Sequence, residues 1–114
     1  MIRWIAVRGD VTAISLVFVN GRIRTGDVRR PIADAIAVSG RELALVGSGA
    51  EVRKLAGAGA TVVDLRGAAV RGVPSDAVLR RGAPASFVVL DSSDGAKELI
   101  RVIDGAIVAV QNGK

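Results

Sequence analysis

Short runs of β-branched and apolar residues, each interrupted by a glycine-containing pair, set what this chain can fold into. The clearest is Leu16-Val17-Phe18-Val19-Asn20-Gly21-Arg22-Ile23-Arg24. Asn-Gly between two such runs predicts a two-residue hairpin, because a type I′ turn needs positive φ at both central residues and these two tolerate it. Ala37-Val38-Ser39-Gly40-Arg41-Glu42-Leu43 and Val102-Ile103-Asp104-Gly105-Ala106-Ile107 repeat the pattern, and Leu65-Arg66-Gly67-Ala68-Ala69-Val70 is a fourth candidate. Turn signals at this spacing predict an all-β fold with one short helix. The expected form is a composite sandwich or pseudo-barrel of antiparallel hairpins rather than alternating βαβ units.

The helix is expected after Ser48-Gly49-Ala50-Glu51, which has the spacing of a capping box: the Ser hydroxyl accepts from a free backbone N–H and Glu51 reaches back to Ser48. Val52 and Leu55 fall on one face, and Gly57 is placed to end it. From Thr61 the β pattern resumes through Val63 and Leu65. Residues 72–84 read as a connection, with one helical turn expected near Asp76 to Leu79. Ser86-Phe87-Val88-Val89-Leu90 is apolar at successive positions, as in a central strand covered on both faces. Asp91 to Gly95 reads as a loop, and a last hairpin sets residues 99–103 against 107–110. Met1 to Arg8 alternates loosely and is expected to add a short strand.

At 114 residues the chain is read as a single domain, able to bury roughly two thirds of the surface its unfolded form exposes. It contains no cysteine and no histidine, which excludes a disulfide framework, a zinc knuckle, a thiol nucleophile and an imidazole base. The net charge is +5, carried largely by arginines scattered from Arg3 to Arg101, with Arg29-Arg30 and Arg80-Arg81 as adjacent pairs. No basic tail or aromatic platform accompanies them, so no nucleic-acid partner is expected and the charge reads as a solvated basic surface. No apolar run approaches the roughly 20 residues of a membrane span, and Arg3, Arg8 and Asp10 interrupt any signal-peptide pattern. The expectation is a cytoplasmic protein with no membrane partner. Arg8-Gly9-Asp10 spells an integrin-type tripeptide, read as coincidence in that setting.

Several segments together resemble a known architecture. Residues 16–27, Ala33-Asp34-Ala35-Ile36-Ala37-Val38-Ser39-Gly40-Arg41, Val46-Gly47-Ser48 and Val62-Val63-Asp64-Leu65 are similar to the N-terminal arm of the amidohydrolase superfamily of metal-dependent hydrolases, particularly its YtcJ-like branch. Gly82-Ala83-Pro84-Ala85-Ser86-Phe87-Val88-Val89-Leu90-Asp91 and Ile103-Asp104-Gly105-Ala106-Ile107-Val108 resemble the C-terminal arm. In such enzymes the two arms pair into one composite β-sandwich beside a catalytic (β/α)8 barrel. The resemblance therefore implies that residues 1–73 are one arm, 82–114 the other, and 74–81 a junction standing where the barrel would be. Where the family has Pro-Gly-Phe-x-Asp-x-His-x-His, this chain has Arg71-Gly72-Val73-Pro74-Ser75-Asp76, without the metal-binding histidines, and Ser86 replaces a customary Asp. Met1 and the smooth passage around Gly72 favour a complete gene product over a fragment.

Nothing else in the chain assembles a site, so no catalytic, cofactor-binding or metal-binding residue is assigned and no cofactor is expected. The carboxylates lack a spacing that suggests convergence around a metal. Asp91, Asp94 and Gly95 faintly suggest a calcium loop but lack its further ligands and terminal Glu. Gly47-Ser48-Gly49 lacks the spacing of a nucleophile elbow, and its helix start is already served by Glu51, which opposes anion binding. The expected role is a non-catalytic binding or assembly module that self-associates as a homodimer or pairs with a separate chain. The other reading is an accessory subunit of a split hydrolase acting on C–N bonds.

Overall fold

A computed structural model describes residues 14–56, 59–74, 76–91 and 97–110. The expected N-terminal strand within 1–8, the Gly57 cap and most of the 91–95 loop lie outside them. Among the described residues ten strands and one helix follow in chain order: β1 (Leu16–Val19), β2 (Arg22–Arg24), β3 (Ile32–Ala33), β4 (Ala35–Ser39), β5 (Glu42–Gly47), α1 (Gly49–Leu55), β6 (Thr61–Asp64), β7 (Ala69–Gly72), β8 (Phe87–Leu90), β9 (Glu98–Ile103) and β10 (Ala106–Val110). They form a six-stranded sheet in the order β10-β9-β8-β7-β2-β3 and a four-stranded sheet in the order β5-β4-β1-β6. The all-β expectation with one short helix describes the fold of the described residues.

Two of the four glycine pairs make hairpins. Gly40-Arg41 joins β4 to β5, with positive φ at Gly40, and Asp104-Gly105 joins β9 to β10 with positive φ at both residues, as a type I′ turn requires. The other two turn corners between sheets. Asn20-Gly21 carries the chain from β1 in the small sheet to β2 in the large one, and Arg66-Gly67 does the same from β6 to β7. Strands leaving one sheet side by side therefore enter the other side by side, so β1 pairs with β6, and β2 with β7, in parallel. The remaining pairs are antiparallel.

The two corners hold each other. Gly67 donates its N–H to the Asn20 carbonyl at 2.7 Å, and Arg22 donates to the Ala68 carbonyl at 2.9 Å. Asp64 Oδ1 accepts from the Asn20 side-chain amide at 3.2 Å and from the Arg66 N–H at 3.0 Å. Gly21 lies close over Leu65: a Cβ there would be 2.5 Å from Leu65 Cδ1, so that side chain would have to shift. The dipeptide alone does not report that the chain turns a corner here, since the contacts that hold it come from residues 64–68.

The core lies between the sheets. Phe18, Ile36, Val38 and Leu43 from the small sheet meet Ile23, Val70, Phe87, Val89 and Val102 from the large one. Phe18 and Phe87 sit edge to face with centroids 5.2 Å apart, a geometry favoured by the ring quadrupoles. The other face of the small sheet, with Val17, Val19, Ala35 and Ala37, is covered by Val52 of α1. Burial on both sides explains the continuous apolar runs of β1 and β4. β8 is buried at all four positions, as its sequence predicts.

The connection 73–86 joins the antiparallel neighbours β7 and β8, with Gly72 opposite Phe87. It contains no helical turn near Asp76 to Leu79; the Ala77 N–H closes a tight turn on the Pro74 carbonyl at 2.8 Å. Leu79 is buried in the core and its N–H bonds the Thr25 carbonyl, which docks the connection against the end of β2.

Candidate functional site

The structure gives the features singled out in the sequence local partners. Ser48 and Glu51 make the complete capping box: Ser48 Oγ accepts from the Glu51 N–H at 3.1 Å, and Glu51 Oε1 accepts from the Ser48 N–H at 2.8 Å. Arg30 donates to the same carboxylate oxygen at 3.3 Å. The Ser48 N–H first, and then Arg30, hold the Glu51 carboxyl below the usual carboxylate range. Asp64 is lowered in the same direction, chiefly by the Arg66 N–H and then by Asn20.

Asp91 donates its N–H to the Lys97 carbonyl at the start of the loop that would have been a calcium site, while Asp94 and Gly95 lie outside the described residues. Among the described residues no group of three or more carboxylates, the only side chains here able to hold a metal, comes together. Clefts lined by the described residues measure ≈250 to ≈340 Å³, near the low end of the roughly 300–1,000 Å³ typical of small-molecule sites. Arg80 and Arg81 line clefts beside β5, and Arg30 is tied to Glu51. Thr25 is the one buried polar side chain among the described residues; its hydroxyl donates to the Arg30 carbonyl and accepts from the Asp27 N–H.

What the fold leaves exposed is an edge. The large sheet outreaches the small one at its β9–β10 end: Val102 of β9 still belongs to the core, whereas every residue of β10 is exposed. β10 reads Ala-Ile-Val-Ala-Val, with no charge and no proline. Ile107, Val108 and Val110 are three of eight large apolar side chains exposed among the described residues. Natural edge strands are usually blunted by charge, proline, shortness or a covering segment, and the other three edges here follow that rule. β3 has two residues. β5 is covered by the 82–85 segment, with the Leu43 N–H on the Ala83 carbonyl and the Gly82 N–H on the Leu43 carbonyl. β6 is short and ends on Asp64. Among the described residues nothing occupies the outer side of β10.

The sequence reading recognised this strand as half of a hairpin but not as an open edge. The available signal was the charge-free run at residues 105–110.

The fold class is thus an all-β, two-sheet assembly of mixed parallel and antiparallel pairing. No protein-family profile matches the chain, and no curated protein matches it. Among solved structures it is similar in part to the crystal structure of an uncharacterized metal-dependent hydrolase from Pyrococcus furiosus, at 23% identity and a TM-score of 0.44, over 48% of this chain and 12% of that one. The chain spans about an eighth of that protein's length. No helix among the described residues is long and apolar enough to cross a membrane.

Proposed function

We propose that this chain is an amidohydrolase-like composite domain without a catalytic barrel, acting in the cytoplasm as a non-catalytic assembly module that self-associates through β10. The observation that carries this reading is the exposed, uncharged edge of that strand, whose outer side is open among the described residues. Antiparallel pairing of one edge with its own copy about a two-fold axis satisfies the free N–H and C=O groups of both strands, and a single surface serves both partners. Each copy carries a net charge of +5, so an interface between copies is favoured where no basic side chain meets its like, and β10 offers such a strip.

Light scattering across a concentration series is expected to give twice the 11.7 kDa chain mass. Val108→Lys, at a position already 56% exposed, is expected to return the protein to monomer with its far-UV dichroism intact. A wild type that stays monomeric at every concentration defeats self-association. A dimer that the lysine leaves untouched defeats the choice of strand.

A second reading, an accessory subunit of a split hydrolase, is favoured by Val28 and Val78, which are 93% and 38% exposed. Val78 lies on the junction beside Gly26, near where a barrel would join in the enzymes the chain resembles. Co-expression with a barrel chain bearing paired histidines would then yield metal-dependent hydrolysis that Val28→Asp with Val78→Asp abolishes. Turnover by the barrel chain that is indifferent to this subunit would remove the reading.

A further inference from the structure

Arginines far apart in sequence meet on the outer face of the large sheet. In β2 the alternation exposed, buried, exposed puts Ile23 in the core and Arg22 and Arg24 outside. In β7 Val70 is in the core and Arg71 outside, and in β9 Val102 is in the core and Arg101 outside. The register then aligns them. Arg24 is paired with Arg71, Arg71 faces Val88, and Val88 faces Arg101. One transverse row across four strands therefore carries three guanidinium groups, with neighbouring strands about 4.8 Å apart. Arg22 begins the adjacent row, which passes through Ala69 and Leu90 and ends at Glu98.

Glu98 is the one acid in these two rows; it is bonded to Arg101, with Arg71 a lesser, unbonded attraction on its carboxylate. Arg101 Nε donates to Glu98 Oε2 at 2.8 Å and Nη2 donates to Oε1 at 2.7 Å. Arg22, Arg24 and Arg71 have no ion pair among the described residues. Like charges directly opposite on neighbouring strands destabilise a sheet, yet Arg24 and Arg71 hold that relation with no acid between them.

We infer that the exposed β2–β7 end of this row, short of the buried Val88 of β8, is a docking surface for an acidic protein segment, an extended peptide rich in Asp and Glu whose carboxylates pair with Arg22, Arg24 and Arg71. Guanidinium groups in a fixed array suit carboxylates, which accept two parallel N–H bonds each. Nucleic acid is disfavoured because among the described residues the face has no ring on which a base can stack: Phe18 and Phe87 are both buried between the sheets. Arg22, Arg24 and Arg71 lie on β2 and β7, separated from β10 by β8 and β9, so docking there does not depend on self-association.

The test uses the full chain and a fluorescein-labelled octaglutamate probe, followed by anisotropy at low salt. Saturable binding is expected, weakening as salt rises because exposed charges are screened. Arg24→Ala with Arg71→Ala is expected to weaken it about tenfold, and Arg80→Ala with Arg81→Ala to leave it unchanged. Lysine at positions 24 and 71 should restore only part of the affinity, since an ammonium keeps the charge and loses the fork. No binding at low salt overturns the inference. Equal loss in the Arg80/Arg81 variant also overturns it, because the probe then reads net charge alone. Tighter binding of a single-stranded oligonucleotide through the same arginines overturns the assignment to an acidic protein segment.

Discussion

Gly105 turns β9 into β10 at a φ of +83°, and a Cβ on it would collide with the Gly40 carbonyl at the tip of the β4–β5 hairpin. Two turns from different sheets thus meet tip to tip, and glycine is needed both for its φ and for the approach. Gly67, at φ +88°, has nothing within 4 Å of the same added atom. Gly67→Ala is therefore expected to cost about 1–2 kcal/mol, the backbone term alone, and Gly105→Ala at least about 2 kcal/mol more, because the obstructing atom is backbone. Chemical denaturation of both variants checks this, and equal losses would mean that the tips do not bear on each other. The turn at Asp104-Gly105 was legible because its conformation is local. Its contact with Gly40 was not, because it joins residues brought together only by stacking the sheets. Asn20-Gly21 shows the same limit: the dipeptide reads as a hairpin, whereas the strands it joins lie in different sheets.

At the scale of elements, the helix was the most legible, since Ser48 and Glu51 spell their cap within four residues. Ser48→Ala is expected to cost about 1 kcal/mol, measured by thermal melting. The Glu51 carboxyl is held below its ordinary value of 4.5, so the folded state favours its charged form. The stabilisation is present above the unfolded value and is lost as pH falls through the folded one. Melts of wild type and Glu51→Gln between about pH 5.5 and pH 3 should show the acid loss reduced in the variant, and unchanged steepness would place that sensitivity elsewhere. The strands were legible as strands, β8 as a buried one above all. Their parallel pairings were not, because which strand lies beside which depends on two corners forming together. The basic row shares that fate: Arg22 and Arg24 can be read onto one face from alternation, whereas Arg71 and Arg101 join them only once the order β9-β8-β7-β2 is known.

For the whole molecule, the absence of histidine and cysteine from the sequence sets a chemical expectation. The purified chain supplied with zinc or manganese should turn over none of a panel of amides, hydantoins and esters. Metal-dependent turnover that persists through repurification would refute the non-catalytic reading. The connection 73–86 has a further consequence for how this fold tolerates change. Its two ends, Gly72 and Phe87, are register partners, and so stand one interstrand spacing apart whatever lies between them. Closing a flexible loop across a fixed short gap becomes harder only logarithmically with length, by about 0.6 kcal/mol per doubling. A twentyfold longer segment spliced in at the exposed Asp76 would then add a penalty of only roughly 2.6 kcal/mol, while Leu79 keeps its place in the core on the downstream side. The sandwich is in this sense a clasp indifferent to the length of what it holds shut.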